Sequence, residues 1–322
     1  MNPINPTNPT NPTNPMNPTN PTNPTNPKRE KVMRIGFIGA GKVATAFGRH
    51  LRTNGVNISG YCDPHEDKVA HACRGTHSRV RRNALEVAAA SDVVLITTRD
   101  DQIQAACEAL ARQQGVGPRH LVGHMSGAHS SSILAPAAQL GAAVFSLHPL
   151  QAFAQEEQAI ADLPHTYFSL EGADPRLKKV EKVLEKTGNK FFRIRAEDKP
   201  LYHLAACIFS NYLVTLAACG LEALAQSGIR TREGFQAMLP LIRGTIDNVA
   251  RLGPAEALTG PIARADASTV RHHLESLDVA GLPGLKAFYA FMGLKTLDLA
   301  TQGVLSDSKM AEAVRTILEQ AQ

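Results

Sequence analysis

Met33-Arg-Ile-Gly-Phe-Ile-Gly39-Ala-Gly41-Lys-Val-Ala44 is the stretch that decides the fold. Met33 to Ile38 is a short run of large apolar side chains, the pattern of a buried strand. Gly39, Ala40 and Gly41 follow at once, and then Val43, Phe47 and Leu51 recur at helical spacing until Gly55. Val56-Asn-Ile-Ser-Gly-Tyr-Cys62 reads as a second strand, and Asp63 falls nineteen residues after Ala44. Strand, glycine turn, helix, strand, acid is the order of a dinucleotide-binding unit. Gly39 permits the tight turn, and Gly41 lets a pyrophosphate approach the backbone amides of Gly41, Lys42 and Val43 at the positive end of the helix. Ala44 lets helix and strand pack closely. Asp63 is placed to accept hydrogen bonds from ribose hydroxyls and repels a 2′-phosphate, which tilts the reading towards NAD over NADP. His65 and Lys68, just beyond it, are the cations that could hold that phosphate instead.

The βα rhythm continues outward from this unit. Asp92-Val-Val-Leu-Ile-Thr-Thr98 is a third strand pattern, and the loop from Thr98 through Arg99 is expected to cross the cofactor. His120 to Met125 and Ala142 to Leu147 are two more, ending in Ser126-Gly127 and His148-Pro149. Ligands of doubly wound sheets sit beyond the carboxyl ends of the strands. His124, Ser126 and His148 lie there, so they are expected to line the pocket. Each also has a purely architectural reading, as a helix cap or a turn former. Tyr167 to Leu170, a helix near Pro175 and a strand at Lys190 to Ile194 complete this lobe. The expected fold is α/β, a Rossmann doubly wound parallel sheet followed by an all-helical C-terminal domain.

The chain has 322 residues with 43% hydrophobic and 20% charged side chains, a composition suited to two folded domains. A net charge of +5, spread along the chain with no tryptophan, does not make a nucleic-acid surface. Uninterrupted apolar runs stay below the roughly 18–20 residues that cross a bilayer. With no basic, apolar leader, a cytoplasmic location is expected, without membrane or nucleic-acid partners. Five cysteines without a Cys-x-x-Cys pair suggest neither a disulfide framework nor a zinc finger. Cys62, His65, His71, Cys73 and His77 match no metal-ligand spacing, so no metal is expected. Residues 2–27 repeat Asn-Pro-Thr with Ile4 and Met16 as exceptions, and they carry nine of the twenty prolines. Proline removes backbone donors and the repeat offers no apolar pattern to bury, so residues 1–30 read as a disordered tail. The remaining boundaries are 31–198 for the dinucleotide-binding domain and 199–322 for a helical substrate and dimerisation domain.

From Lys199 the pattern turns helical. Leu204, Ile208 and Thr215 mark one face of a helix expected to run unbroken to about Gly228, and Thr231 is expected to cap the next, which ends near Gly253. Leu285, Phe288, Phe291 and Leu294 mark another apolar stripe, fit for a core or a subunit interface. A homodimer is expected. His203, Cys207 and Asn211 are spaced by four and share a face. Histidine can donate a proton and asparagine can orient a carbonyl oxygen. Thr259-Gly260-Pro261 forms a rigid turn leading to Arg264, which could clamp a carboxylate.

Together, Ile35 to Ala44, Ser146-Leu-His-Pro-Leu-Gln-Ala-Phe153, Tyr202-His203, Ser210-Asn-Tyr212 and Leu258-Thr-Gly-Pro-Ile-Ala-Arg264 resemble the Rossmann-like proteins that carry the DUF2520 domain. The resemblance covers residues 33 to about 315. It implies an NAD(P)-dependent oxidoreductase built like ketopantoate reductase, pyrroline-5-carboxylate reductase and 6-phosphogluconate dehydrogenase. Substrate would lie between the two lobes, and 2-dehydropantoate is the substrate it suggests. One departure matters. Those enzymes commonly place a catalytic lysine four residues before an asparagine on the first helix of the second domain. Asn211 is present, but position 207 is cysteine. The resemblance therefore carries over the asparagine and not the proton donor. His203 or His148 is expected to donate the proton, with Asn211 and Ser126 fixing the reacting carbonyl and His124, Thr259 and Arg264 holding substrate. The missing lysine also supports a different reading, a dinucleotide-binding sensor or scaffold without turnover.

Overall fold

The computed structural model describes Met1 and residues 33–322. The Asn-Pro-Thr tail expected over residues 1–30 lies, apart from Met1, outside the described residues. The first lobe runs β1 (Arg34–Ile38), α1 (Lys42–Thr53), β2 (Asn57–Cys62), α2 (Glu66–Thr76), α3 (Ala84–Ala90), β3 (Val93–Ile96), α4 (Asp100–Arg112) and β4 (Leu121–His124). It continues with α5 (Ala135–Gln139), β5 (Ala143–Pro149), α6 (Glu156–Asp162), β6 (Phe168–Glu171), α7 (Lys178–Lys186) and β7 (Phe191–Arg193). These strands form one sheet in the order β2-β1-β3-β4-β5-β6-β7. Strands β1 to β5 pair in parallel, β6 runs antiparallel to β5, and β7 is parallel to β6.

Parallel strands covered on both faces need apolar side chains in both directions. In β3 the alternation is explicit. Val93 and Leu95 join Phe47 and Leu51 of α1 and Phe145 of β5 in one core. Val94 and Ile96 join Ile103, Cys107 and Leu110 of α4 in the other. Phe47 meets Phe168 with ring centroids 5.3 Å apart, which fastens α1 across the sheet to β6. The chain leaves β1 towards β2 and returns to β3 on the other side, so the loops after β1 and β3 diverge. That switch point opens a crevice at the carboxyl edge of the sheet.

The second lobe is helical: α8 (Lys199–Phe209), α9 (Asn211–Gln226), α10 (Thr231–Leu252), α11 (Pro254–Ala257), α12 (Ala267–Val279), α13 (Pro283–Ala300) and α14 (Ser308–Glu319). Three local expectations are corrected here. The helix expected to run unbroken from Lys199 breaks at Ser210, whose ψ of −68° and φ of −114° depart from α-helical geometry. Thr231 lies inside α10; the capping position belongs to Arg230, which pairs with Glu233 instead of capping with its side chain. On α13 the buried residues are Ala290, Gly293, Leu297 and Ala300, while Phe291 of the expected stripe is exposed. The reason is close approach. A Cβ on Gly293 would sit 2.8 Å from Leu318, so α14 packs on the small-residue face.

A fourth correction concerns apolar length. The helical segment Ala196–Gln226 is long and apolar enough to cross a membrane by length and composition. A search for uninterrupted apolar residues passes over it because Ser210, Asn211 and Thr215 interrupt the run.

Candidate functional site

The glycine turn after β1 has the expected geometry. Gly39 has φ of +105°, and a Cβ there would lie 2.7 Å from the backbone of Thr97, so only glycine fits. Gly41 is extended and begins α1, with no side chain capping the helix. A Cβ added at Gly41 meets nothing within 4 Å, so open space faces the first turn of α1. The first-turn amides of a helix have no intrahelical acceptor, and those of Lys42 and Val43 therefore face outward as anion donors. Ala44 is fully buried against the sheet, and Val43 packs partly into the same core. The Lys42 ammonium reaches across to donate to the carbonyl of Ala154 at 2.6 Å.

Asp63 ends β2 beside this turn. Its Oδ2 accepts from the Ala40 amide at 2.9 Å, and its Oδ1 accepts from the amide and ring of His65, each at 2.9 Å. Burial pushes its pKa up, but these hydrogen bonds and the charge of Lys68 outweigh that and hold it below the usual carboxylate range. Across the crevice, Thr97 ties the end of β3 to the turn by donating to the carbonyl of Gly39 at 3.0 Å. The neighbouring Thr98 hydroxyl is buried and has no partner, as a group waiting for a ligand would be. Arg99 is largely exposed and pairs with Asp101 at 3.3 Å.

The ends of β4 and β5 meet α8 over Gly127. His148 Nδ1 lies 2.8 Å from the Tyr202 hydroxyl, and its ring stands edge-on to that of His203 at 6.0 Å. A Cβ on Gly127 would come within 2.6 Å of His203 Nδ1 and 2.8 Å of His148 Nε2. His203 Nδ1 is buried and has no partner, while Nε2 lies 3.6 Å from Cys207 Sγ. Burial, and then the positive charge of Lys199, push His148 down to about 4, so it is uncharged at neutral pH. Its imidazolium is therefore not the neutral-pH proton source expected from the sequence.

Two other expected ligands are already committed. The Ser126 hydroxyl donates to Asp100 at 2.7 Å and accepts from the Ala128 amide, so it anchors a turn to α4. His124 has no exposed surface; its Nδ1 accepts from the Ser126 amide and its Nε2 donates to the Ser130 carbonyl, both at 3.2 Å. Burial pushes it to about 4. Asn211 does not share a helix with His203, because the break at Ser210 makes it the first residue of α9, where it is exposed. Thr259 and Arg264 are exposed as well, and Ile262 and Ala265 beside them belong to the core of α12, α13 and α14. No hydrogen bond among the described residues joins either side chain to the sheet. Among the described residues, no group of three or more His, Cys, Asp or Glu is arranged to hold a metal.

Reading the sequence missed Lys199. It is 1% exposed, and its ammonium donates to the Ser126 carbonyl at 3.0 Å and the Ser146 hydroxyl at 2.8 Å. Burial pushes it down to about 8. One signal was available: a lysine in the first turn of a helix opposes the helix dipole, so something else must hold it there.

Residues 18–149 match the Rossmann-like domain family, and residues 166–296 match DUF2520, a domain of unknown function. A search of curated protein sequences finds no match. Among solved structures, a Bacteroides fragilis protein provisionally described as an NADP oxidoreductase is 21% identical with a TM-score of 0.67, covering 82% of this chain and 97% of its own. A Thermotoga maritima protein is 24% identical at a TM-score of 0.60, covering 89% and 98%. A pyrroline-5-carboxylate reductase from Coxiella burnetii is 15% identical at 0.54, covering 90% and 98%. At such identities the likeness establishes the fold, a parallel sheet with a helical lobe after it. With both family matches falling in order along it, the chain is a Rossmann-like and DUF2520 domain-containing protein.

Proposed function

We propose that the chain is a nicotinamide-dinucleotide-dependent reductase that transfers a hydride to a C=O or C=N group of a small, carboxylate-bearing molecule. The observation that carries this reading is the meeting of His148 and His203 over Gly127, at the carboxyl edge of the sheet whose switch point presents an open glycine turn. The residues present fit a dinucleotide: open space over Gly41, unused amides at Lys42 and Val43, and the orphaned Thr98 hydroxyl. When bound, that cofactor supplies the hydride. The first turn of α1 holds the pyrophosphate, with Ala40 keeping Asp63 in place. Asp63, ionised, accepts from the ribose hydroxyls and favours NAD. As the new C–H bond forms, the π pair moves onto oxygen or nitrogen, and His203 gives that atom a proton from Nδ1. His148 and Tyr202 wall the same space.

The substrate's carboxylate is assigned to Arg264, with Thr259 and Asn211 beside it, reaching the cleft in a homodimer. Support comes from the helical lobe. None of the sixteen residues of α9 is buried, and Tyr212 and Val214 stand 60% and 71% exposed. An open groove of about 1270 Å³ lies between α9, α10, α12 and α13, lined by Leu216, Met238, Ile242, Phe288 and Met292 among others. Arg243, Asp247 and Arg251 stand on α10 among its exposed apolar residues, which suits a second copy of the chain and not hydrocarbon.

Calorimetry with both nicotinamide dinucleotides, then a turnover assay with small oxo acids, 2-dehydropantoate first, and cyclic imines, tests the reading. His203→Ala is expected to lower turnover by about 10²–10⁴-fold while leaving dinucleotide affinity unchanged. Gly41→Val is expected to abolish binding without unfolding the lobe, because its side chain enters only open space. Binding without turnover on any substrate would make the chain a sensor or scaffold, and no binding at all would overturn the proposal.

A further inference from the structure

Lys199 is buried, sits at the unfavourable end of α8, and has no carboxylate in contact among the described residues, Glu171 and Asp100 acting on it from farther off. A buried ammonium with no contacting counter-ion destabilises a fold, and such costs gather where a site uses them. Its surroundings show a use. Lys199 and Tyr202 lie one helical turn apart, and Ser146 and His148 are two residues apart on one face of β5. The bonds Lys199–Ser146 (2.8 Å) and Tyr202–His148 (2.8 Å) therefore run side by side and knit α8 to β5. The bond from Lys199 to the Ser126 carbonyl, 3.0 Å, adds the turn that carries Gly127.

We propose that Lys199 is a positioning residue: its buried ammonium pins β5 and the Ser126–Gly127 turn to α8 and, beside His148, disfavours a second positive charge there, leaving His203 as the proton donor. The proposal rests on the reductase reading for the donor; the electrostatic part rests on the burial of Lys199 and on the two parallel bonds that set it beside His148. The groups facing His148 are Lys199, Tyr202 and His203 from α8, Asp100 from α4 and His124 from β4, while Glu171 of β6 and again Asp100 act on Lys199. Burial is the largest influence on His148 and Lys199 is the strongest charge, with Asp100 opposing it.

Histidine nitrogen resonances of the full chain, followed against pH without any ligand, provide the test. In the wild type, His148 is expected to stay neutral until the pH nears 4; titration at the ordinary histidine value overturns the proposal. Lys199→Gln keeps donors for Ser126 and Ser146 but loses the charge, so the proton affinity of His148 is expected to rise roughly tenfold or more, one pKa unit being a factor of ten. Lys199→Arg keeps the charge and is expected to leave His148 where it was. A role confined to packing would leave His148 unmoved in Lys199→Gln, and that result also overturns the proposal. In turnover, Lys199→Gln is expected to lower kcat with KM little changed. If wild-type protein reduces nothing while His148 still moves in Lys199→Gln, the reductase reading fails and the electrostatic role of Lys199 stands.

Discussion

Helices α1 and α9 are of similar length and opposite fate. Seven of the twelve residues of α1 are buried, whereas none of the sixteen in α9 is. Composition does not foretell this, since α9, with four leucines, four alanines and one charged residue, is the more apolar of the two, whereas α1 carries Lys42, Arg49 and Arg52. Their neighbours do: α1 lies on a sheet that gives it Phe168 and Leu95 to pack against, while α9 has α8 and α10 and an open groove. The sheet lobe closes its core within one chain. The helical lobe keeps apolar surface for something else, and buried apolar area is what holds a subunit interface together.

The largest expected effect breaks that contrast directly. In the proposed homodimer, Val214→Glu on α9 would bury two unpaired carboxylates, at about 3–5 kcal/mol each. Sedimentation should then show a monomer, with sheet-lobe unfolding unchanged; a persisting dimer would mean that α9 is not the interface. Next comes the closed core. Phe145→Ala should cost the sheet lobe about 3–5 kcal/mol in denaturant unfolding, because the side chain is fully buried. Smaller residue for residue, and again confined to the sheet lobe, is an acid effect. His124 and His148 bind protons at about 4 when folded, against 6.5 as the ordinary value. Unfolding then takes up protons between those limits, so their contribution is complete above about 6.5 and is lost as pH falls towards 4. The loss should be on the order of 3 kcal/mol for each histidine by stability measurements across that window, and His148→Gln should flatten the slope. The smallest expected effect is none. Deleting residues 2–27 should leave the melting temperature and dinucleotide affinity unaltered, since the repeat offers little but Ile4 and Met16 to bury.

What was legible in the sequence was what short spacing dictates. The tight turn at Gly39, the close packing of Ala44 and the place of Asp63 beside that turn fall within a few residues or one βαβ unit, and they follow from backbone sterics and strand order. The positions of Ser126 and His148 at strand ends were legible for the same reason. Their partners were not, because Asp100 and Tyr202 arrive from 26 and 54 residues away. Lys199 was missed because burial of a cation is decided by β5 and the Ser126 turn and leaves no apolar period behind. The stripe on α13 was visible, but the face that packs was chosen by Gly293, whose missing side chain admits Leu318. Small residues set close approach, and a hydrophobicity pattern weights them least.

The uncovered surface of α9 also has a consequence in time. The sheet lobe precedes the helical lobe along the chain, so synthesis delivers a unit that can close by itself before α9 exists. Folding of that unit is first order, but covering α9 in the proposed homodimer requires an encounter, which is second order and slows on dilution. Between the two events each new chain presents Phe209, Tyr212, Val214 and Leu241 to its surroundings. That interval, longest when the protein is scarce, is when the chain is most open to chaperones and to aggregation.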